Sequence, residues 1–463
     1  MFSLPTFLRA AWPAPWRVAV VLVLYAVYLP LSGYTQAHLR FDAAEYWELS
    51  LKFTPNSGFS LLAYDDALRG YLGPLLLLPA RLLGHYTGWS IMTTAKVLGA
   101  GWAAVLFGVA VPELWAQASG RAVSGGRWLV LLGLTFAFWR GYFNFTLTDM
   151  PALALLLLSL VAVGRAGWAW AAAAGLLLAA ALNMRPVYLA SAPAFLWLLS
   201  TASGSRKAWP RVAALASGAA LVLLPQLLIN RMHFGQNTPL VLARLAGLQT
   251  GSLYLEKINW GLEQQKYETT YGTDYPDAAM LFRDEAGTQL LREAGVPYFS
   301  TYQAYAGALL RRPVRAAGIM ARHLFNGLDI QYPTPYIKTV YQPSWGLAWL
   351  NYTVWFGAAL VLARGHLRRW PLRHWLALAV LLLPCLVVLP LGMECRYLLP
   401  LHLLLCVGFS FGWPATWTWN TFLGFPWPRR LLLLVGYLGF VGLCFVASAA
   451  AQATLEYGPR SLF

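Results

Sequence analysis

Three acidic residues stand close together just after the first long apolar run of the chain. The stretch HLRFDAAEYWELSLKF, residues 38–53, places Asp42, Glu45 and Glu48 among aromatic and aliphatic side chains. A carboxylate held at a membrane surface can accept a proton from an attacking hydroxyl group. A solvated amphipathic helix would carry the same residues, so this stretch alone leaves both interpretations open.

Helical spacing separates the three acids into two groups. In a helix over this stretch, Asp42, Glu45 and Tyr46 fall on one side at positions i, i+3 and i+4. Glu48 points elsewhere and stands four residues before Lys52, so we predict it to be a surface charge. Asp42 is therefore the first candidate for acid–base chemistry, and Glu45 is a candidate helper.

Other charged residues interrupt apolar sequence in four further places. DDALRGYLGP contains Arg69, TDMP contains Asp149, LNMRP contains Arg185, and MECRYLLP contains Glu394 and Arg396. Helix capping is the alternative explanation for Asp149, and pairing or snorkelling is the alternative for the arginines. Together, arginines and acids at one membrane face suit a substrate with a membrane-held phosphate, because a guanidinium binds phosphate oxygens through two hydrogen bonds.

The composition predicts the elements that must position these residues. Of the 463 residues, 59% are hydrophobic and only 11% are charged, and the mean hydropathy is +0.53. Soluble proteins carry about 25% charged residues, and runs such as 16–33 and 377–392 approach the ~20 residues needed to cross a bilayer. We therefore predict an all-α polytopic membrane protein. Its four cysteines lie in or beside apolar runs and are expected to be buried: Cys385, Cys395, Cys406 and Cys444.

The distribution of charge predicts the topology. We predict eleven spans, near residues 16–33, 89–112, 127–143, 150–164, 167–182, 186–200, 208–230, 344–364, 372–391, 396–412 and 430–451. With a cytoplasmic N-terminus and a first span that is retained, the cytoplasmic segments hold fourteen basic residues and one acid, Glu113. The net charge of +16 then needs no nucleic-acid partner. The short apolar piece 70–84 is placed on the outer face of the membrane, at the interface between lipid and water.

The chain is expected to comprise three parts. Residues 1–230 form an N-terminal transmembrane module with a first outer loop over 34–88, and residues 344–463 form the C-terminal transmembrane helices. Between them, residues 231–343 form a long outer segment of mixed charge. This segment is predicted to contain juxtamembrane amphipathic helices that are interrupted at Pro313.

The order of these motifs resembles that of the GT-C glycosyltransferases, which are integral membrane enzymes that use polyprenyl-phosphate sugars. The likeness is strongest to the branch of protein O-mannosyltransferases and lipid A aminoarabinose transferases. FDAAEYWELS supplies Asp42, Tyr46 and Glu48 at matching places, and TDMP supplies Asp149. The late Arg-Tyr-x-x-Pro turn of the family is found as RYLLP, residues 396–400.

The resemblance implies roles for these residues. Asp42 would be the catalytic base, Asp149 would shape the acceptor or metal site, and Arg396, with Arg69, would bind the donor phosphate. The other predicted substrate-binding residues are Arg185, Tyr397, Glu45, Tyr46 and Glu394. A divalent cation shared by Asp42 and Asp149 is an open option, since carboxylates are hard oxygen ligands. The chain departs from the family pattern at Ala43 and Glu45, so the sugar is not predicted.

The expected function is an inverting transfer of a sugar from a polyprenyl-phosphate donor to a hydroxyl of a glycan, lipid or protein acceptor. The reaction would take place on the extracytoplasmic face of a bacterial inner or plasma membrane. One alternative is a flippase or transporter of lipid-linked glycans, which would need a polar path, whereas the predicted spans hold little charge beyond Lys96. A second alternative is a lipid-binding membrane subunit without catalytic activity.

Overall fold

The structure, a computed structural model, is 72% helical and divides into two compact units. It describes residues 10–34, 38–54, 58–201, 208–245, 247–272, 274–275, 277–365, 370–413 and 424–456. The first unit comprises residues 1–132, 140–246 and 370–384, and the second comprises 133–139, 247–369 and 385–463. The helices Gly125–Trp139 and Leu372–Val388 each contribute residues to both units.

The first unit consists of α-helices and short 3₁₀-helices. Its α-helices are Ala14–Leu31, Phe41–Leu49, Leu72–Thr87, Ile91–Ala103, Val111–Ser119, Asp149–Val163, Trp168–Met184, Ala192–Thr201 and Ala208–Phe234. Short 3₁₀-helices cover Ser50–Phe53, Leu61–Ala63, Arg140–Asn144 and Pro186–Ser191. A wide π-helical segment, Ala104–Ala110, continues the fourth helix into the fifth. The predicted helix after the first apolar run is confirmed as Phe41–Leu49.

The second unit combines helices with a small sheet. Its α-helices are Leu253–Glu263, Glu285–Ala294, Tyr302–Arg311, Pro313–Leu328, Trp345–Arg364, Leu399–Phe411 and Trp427–Gln452, and Cys395–Leu398 is a 3₁₀-helix. The break at Pro313 is as predicted, because proline lacks the amide proton that a continuous helix needs.

A three-stranded sheet lies within the long outer segment 231–343, for which amphipathic helices but no strands were predicted. Strands β1 (Gln264–Thr270), β2 (Ala279–Arg283) and β3 (Tyr336–Ile337) occur in the order β2-β1-β3, with β1 antiparallel to β2 and parallel to β3. One side of the sheet is covered by a small apolar cluster of Tyr275, Met280, Phe282, Ile337 and Val340. The sheet was not predicted, because strands this short give little periodic signal and β3 pairs with a strand far away in sequence.

Among the described residues, five helices are long and apolar enough to cross a membrane. They are Ala14–Leu31, Ile91–Ser119, Trp209–Phe234, Trp345–Arg364 and Trp427–Gln452. Five further apolar helices are shorter, at 10–17 residues: Asp149–Val163, Trp168–Met184, Pro186–Thr201, Leu372–Val388 and Cys395–Phe411. The chain is therefore a helical membrane protein, and the number of eleven spans stays a prediction. The four cysteines are buried, as expected.

Two helices of the first unit approach each other through facing glycines. A Cβ atom added at Gly175 would lie 1.9 Å from the carbonyl oxygen of Leu215, and one added at Gly218 would lie 1.9 Å from that of Ala172. Real Cβ atoms do not come this close to a backbone oxygen, so the helices Trp168–Met184 and Ala208–Phe234 can pack at this distance only with glycine at both positions. Small residues have this role at many helix contacts in membranes.

We expect Gly175→Ala to lower the thermal stability of the detergent-solubilised protein. The added methyl group forces the two helices apart, and overpacking of this kind costs about 1–3 kcal/mol. Gly101→Ala is the matched control, because Gly101 is also helical and a Cβ atom added there would meet nothing within 4 Å. Both substitutions gain the same helix propensity, about 1 kcal/mol, so a Gly175→Ala protein as stable as the control would contradict the close contact.

Candidate functional site

One arginine gathers the acidic residues that follow the first helix. Arg69 Nη2 donates to Asp42 Oδ1 and to Glu45 Oε2, both at 2.8 Å, and Arg69 Nε donates to Glu45 Oε1 at 3.3 Å. The guanidinium carbon also lies 5.0 Å from the centre of the Tyr46 ring. We call Asp42, Glu45, Tyr46 and Arg69 the Arg69 cluster. Four of the predicted site residues therefore meet at one place.

The charges of the Arg69 cluster do not cancel. Burial disfavours the charged guanidinium, but Tyr46 and the carboxylates of Glu45 and Asp42 outweigh it and hold the pKa of Arg69 above its ordinary value. Arg69 therefore stays charged, and two acidic side chains share this one guanidinium. The Asp42 side chain is still 28% exposed, so a substrate hydroxyl could reach it.

Backbone geometry places Asp42 at the start of its helix. Phe41, the residue before it, has a left-handed φ of 52°, which is rare for a bulky side chain. The helix is then held from the side, because Thr146 Oγ1 donates to the carbonyl of Ala43 at 2.6 Å. Glu48 is exposed, as predicted for a surface charge. Strain of this kind is often found at functional positions.

The loop that carries Arg69 is fixed by its own hydrogen bonds. Asp66 Oδ1 accepts the backbone N–H groups of Leu68 at 3.0 Å and of Arg69 at 2.6 Å. The Tyr64 hydroxyl donates to the Arg69 carbonyl at 3.1 Å, and the Tyr64 ring stacks on Phe53 with centres 5.3 Å apart. Burial raises the pKa of Tyr64, so its hydroxyl remains a neutral donor. The guanidinium is thus presented to the acids by a rigid turn.

A row of buried amide side chains lies behind this loop. The backbone N–H of Leu72 donates to Asn183 Oδ1 at 2.9 Å, and Asn183 Nδ2 donates to Gln226 Oε1 at 2.8 Å. Gln226 Nε2 in turn donates to Asn230 Oδ1 at 2.9 Å, and Asn230 Nδ2 donates to the carbonyl of Thr238 at 2.7 Å. We call Asn183, Gln226 and Asn230 the amide ladder. These residues were not predicted, although amides inside apolar runs are a signal because they need partners there.

The amide ladder positions two of the predicted arginines. Gly70 follows Arg69 and sits directly against the ladder, since a Cβ at Gly70 would lie 2.0 Å from the carbonyl oxygen of Asn183. Arg185 lies two residues beyond Asn183, at the end of helix Trp168–Met184. Movement of Asn183 would therefore displace both arginines.

Asp149 lies in an ion pair rather than in a helix cap. Its carboxylate is 4% exposed and lies 2.8 Å from Arg185 Nη2. The N-cap residue of helix Asp149–Val163 is Thr148, whose side chain makes no cap hydrogen bond. The Thr148 hydroxyl donates instead to the Tyr46 hydroxyl at 3.2 Å. A continuous path of contacts thus connects the Arg69 cluster with the Asp149–Arg185 pair.

A narrow apolar cavity lies beside Thr148. Its lining includes Leu76, Trp102, Met150 and Met184, and it offers about 30 Å³. A water molecule needs roughly 10–15 Å³ measured in this way. The cavity therefore has room for one or two water-sized groups, and a larger ligand would have to displace side chains.

The remaining predicted site residues lie in the second unit. Arg396 Nε donates to Glu394 Oε2 at 2.6 Å, and both side chains are buried. The hydroxyls of Tyr397 and Tyr267 share a hydrogen bond. The cationic groups of Arg396 and Lys257 each lie 5.9 Å from the centre of the Tyr397 ring. Glu394, Arg396 and Tyr397 thus form a second cluster of charged and aromatic groups.

Strand β1 supports this second cluster. The backbone N–H of Tyr267 donates to the carbonyl of Met393 at 2.9 Å. On the same strand, Lys266 Nζ lies 2.9 Å from Glu268 Oε1, and both side chains are buried. Burial lowers the pKa of Lys266, but the acidic groups around it, of which Glu268 contributes most, together outweigh burial and raise the pKa. This pair was not predicted from the sequence, although the charge alternation in QQKYETT is a signal for it.

The described residues contain no group of three or more His, Cys, Asp or Glu side chains arranged to hold a cation. Asp42 and Glu45 both face Arg69, so a cation there would have to displace a guanidinium. Asp149 faces Arg185 in the same way. The divalent cation stays a prediction, and the proposed reaction uses none.

Comparison with known proteins adds no relative. No protein-family model matches the chain, and no curated protein is similar enough to count as a match. The resemblance to the GT-C glycosyltransferases therefore rests on the short motifs alone.

We expect Asn183→Leu to lower the free energy of unfolding by about 1–3 kcal/mol, because it leaves the Leu72 N–H and the Gln226 amide without their partner. Gln226→Leu should act through the same ladder, so the double variant should cost clearly less than the sum of the two. Thermal or denaturant unfolding in detergent measures both effects. Gln303→Leu, at an exposed helical glutamine, is the control. Additive losses would contradict a coupled ladder.

Proposed function

We propose that this protein is an inverting glycosyltransferase that moves a sugar from a polyprenyl-phosphate donor to an acceptor hydroxyl. The observation that carries the proposal is the Arg69 cluster, in which a guanidinium holds the partly exposed carboxylate of Asp42 in place. A carboxylate that is positioned where a substrate hydroxyl can reach it is what a general base requires.

Asp42 has the role of general base in this proposal. It takes the proton of the acceptor hydroxyl as the oxygen attacks the anomeric carbon of the donor sugar. The bond from that carbon to the phosphate oxygen breaks on the opposite side, and the bonding electrons leave with the lipid phosphate. This single displacement inverts the configuration at the anomeric carbon. Glu45 shares Arg69 with Asp42, so it helps to fix the position of the base.

Arginines stabilise the negative charge of the departing phosphate in this proposal. A phosphate leaving group needs positive charge nearby more than it needs a proton. Arg185 is held by Asp149 at 2.8 Å, and a guanidinium has five N–H donors, so it can bind a carboxylate and a phosphate oxygen together. Arg396 is proposed to bind the donor phosphate because of the family resemblance, with Tyr397 and Glu394 beside it.

The membrane arrangement forms part of the proposal. We propose eleven spans in a GT-C-like order, with a cytoplasmic N-terminus and the reaction on the extracytoplasmic face of a bacterial inner or plasma membrane. The five long apolar helices support a membrane location. The first of them, Ala14–Leu31, leads into the helix that carries Asp42, so the base would stand at the membrane surface. Donor and acceptor would both reach it from the lipid or from the adjoining solution.

We expect Asp42→Asn to lower the transfer rate about 10²- to 10⁴-fold, the usual contribution of a general base. The fold should be kept, because the amide oxygen of asparagine can still accept the Arg69 hydrogen bond. Glu48→Gln removes an exposed acid of the same helix and should leave the rate unchanged. The measurement is sugar transfer by the purified protein in detergent, with a mixture of polyprenyl-phosphate sugars and acceptors.

Three outcomes would contradict the proposal. Near-normal transfer by Asp42→Asn would exclude this residue as the base. Absence of transfer by the unchanged protein, together with movement of labelled lipid-linked glycan between leaflets of proteoliposomes, would favour a flippase. Binding of the donor lipid without either activity would instead favour a subunit that has no catalytic role.

A further inference from the structure

The end of the first unit that lies away from the Arg69 cluster is rich in arginine. Helix Asp149–Val163 begins at the predicted site residue Asp149, and its fifteen residues reach roughly 22 Å to the far end. There, Arg211 Nη2 donates to the carbonyl oxygens of Val163 and Arg165, at 3.0 and 3.1 Å. Arg211 thus joins the start of its own helix to the end of this one.

Two further arginines share one carboxylate at the same end. Arg17 Nη2 lies 3.0 Å from Glu113 Oε1, and Arg165 Nη2 lies 4.0 Å from Glu113 Oε2. We call these four residues the arginine rim: Arg17, Glu113, Arg165 and Arg211. Apart from Asp149 at the other end, Glu113 is the only acidic residue in positions 67–255. Three guanidinium groups therefore meet a single carboxylate of these helices, and the rim keeps a net positive charge.

Exposed tryptophans surround the arginine rim. Trp168 and Trp209 stand at the start of their helices and are 72% and 78% exposed. The guanidinium carbon of Arg165 lies 4.3 Å from the centre of the Trp170 ring. Exposed tryptophan side chains concentrate at the boundary between the hydrocarbon and the headgroups of a bilayer. The arginine rim therefore lies at the level of lipid phosphates.

The helix that carries Arg211 supports this depth. Arg211 and Arg231 are twenty residues apart on helix Ala208–Phe234, which corresponds to about 30 Å. The hydrocarbon core of a bilayer is also about 30 Å thick. The two arginines can therefore stand at opposite headgroup layers, with only Arg211 belonging to the rim.

We propose that the arginine rim binds the phosphate of an anionic phospholipid. Arg165 meets the headgroup, because its side chain is 39% exposed and its contact with Glu113 is long. A guanidinium binds phosphate oxygens through paired hydrogen bonds, and basic pockets between membrane helices bind lipid headgroups in this way. The exposed tryptophans give the lipid chains an apolar contact that a free phosphate ion would not use. This site is independent of the proposed enzymatic function.

Lipid binding to the purified protein tests the proposal. Delipidated protein in a neutral detergent is titrated with phosphatidylglycerol, or with phosphatidylcholine as the lipid of no net charge, and native mass spectrometry counts the bound lipids. Arg165→Gln keeps the contacts of Arg211, since these use the backbone carbonyl of residue 165. A double variant adds Arg211→Gln. Arg231→Gln, at an exposed arginine on the other end of the same helix, is the matched control.

The unchanged protein should bind phosphatidylglycerol more tightly than phosphatidylcholine. One arginine near an anionic headgroup contributes about fivefold in affinity. Arg165→Gln should therefore weaken phosphatidylglycerol binding about fivefold and the double variant about 25-fold, whereas Arg231→Gln should leave it unchanged. Thermal unfolding in the same detergent checks that each variant is folded, and Arg165→Gln alone decides the matter if the double variant is not.

Three results would overturn the proposal. One is equal affinity of the unchanged protein for the two lipids. Another is a loss in Arg165→Gln no larger than that in Arg231→Gln. The third is displacement of bound phosphatidylglycerol by millimolar inorganic phosphate, which would assign the rim to a soluble anion.

Discussion

The free-energy cost of burying charged groups determines how the charged side chains of this structure are paired. An isolated ionised group is expensive to remove from water, so such groups are found with partners of opposite charge or with hydrogen-bond acceptors. Arg69 with Asp42 and Glu45, Arg185 with Asp149, Arg396 with Glu394, and Lys266 with Glu268 all follow this rule. Even Lys96, inside a long apolar helix, donates to the carbonyl of Tyr34 at 2.6 Å. The pairs therefore fix where neighbouring elements can meet.

An ion pair can have a purely structural role. The composition of the Arg69 cluster favours a role in the reaction as well. Two carboxylates share one guanidinium, and Asp42 is partly exposed. A purely structural pair is satisfied by one acid, as at Lys266 and Glu268. The excess acid and the strained backbone of Phe41 are together the features that favour a reacting carboxylate. The amide ladder behind the cluster explains how a long arginine is held in one place.

The sequence predicted the parts of the fold that depend on local patterns. Long apolar runs predicted the helices that can cross a bilayer, proline predicted the break at Pro313, and i, i+3, i+4 spacing predicted that Asp42, Glu45 and Tyr46 share a side. What it missed depends on distant contacts. The parallel pairing of β1 with β3 and the Asn183–Gln226 contact join residues whose partners no local pattern specifies.

The proposed function requires Asp42 to take part in the chemical step of sugar transfer rather than in holding the donor. The most direct test is to separate the effect of Asp42→Asn between kcat and the donor KM, at saturating acceptor. A base acts in the transition state, so kcat should fall while the donor KM stays close to that of the unchanged protein. A loss confined to KM, with kcat retained at saturating donor, would show that Asp42 only binds and would contradict the account.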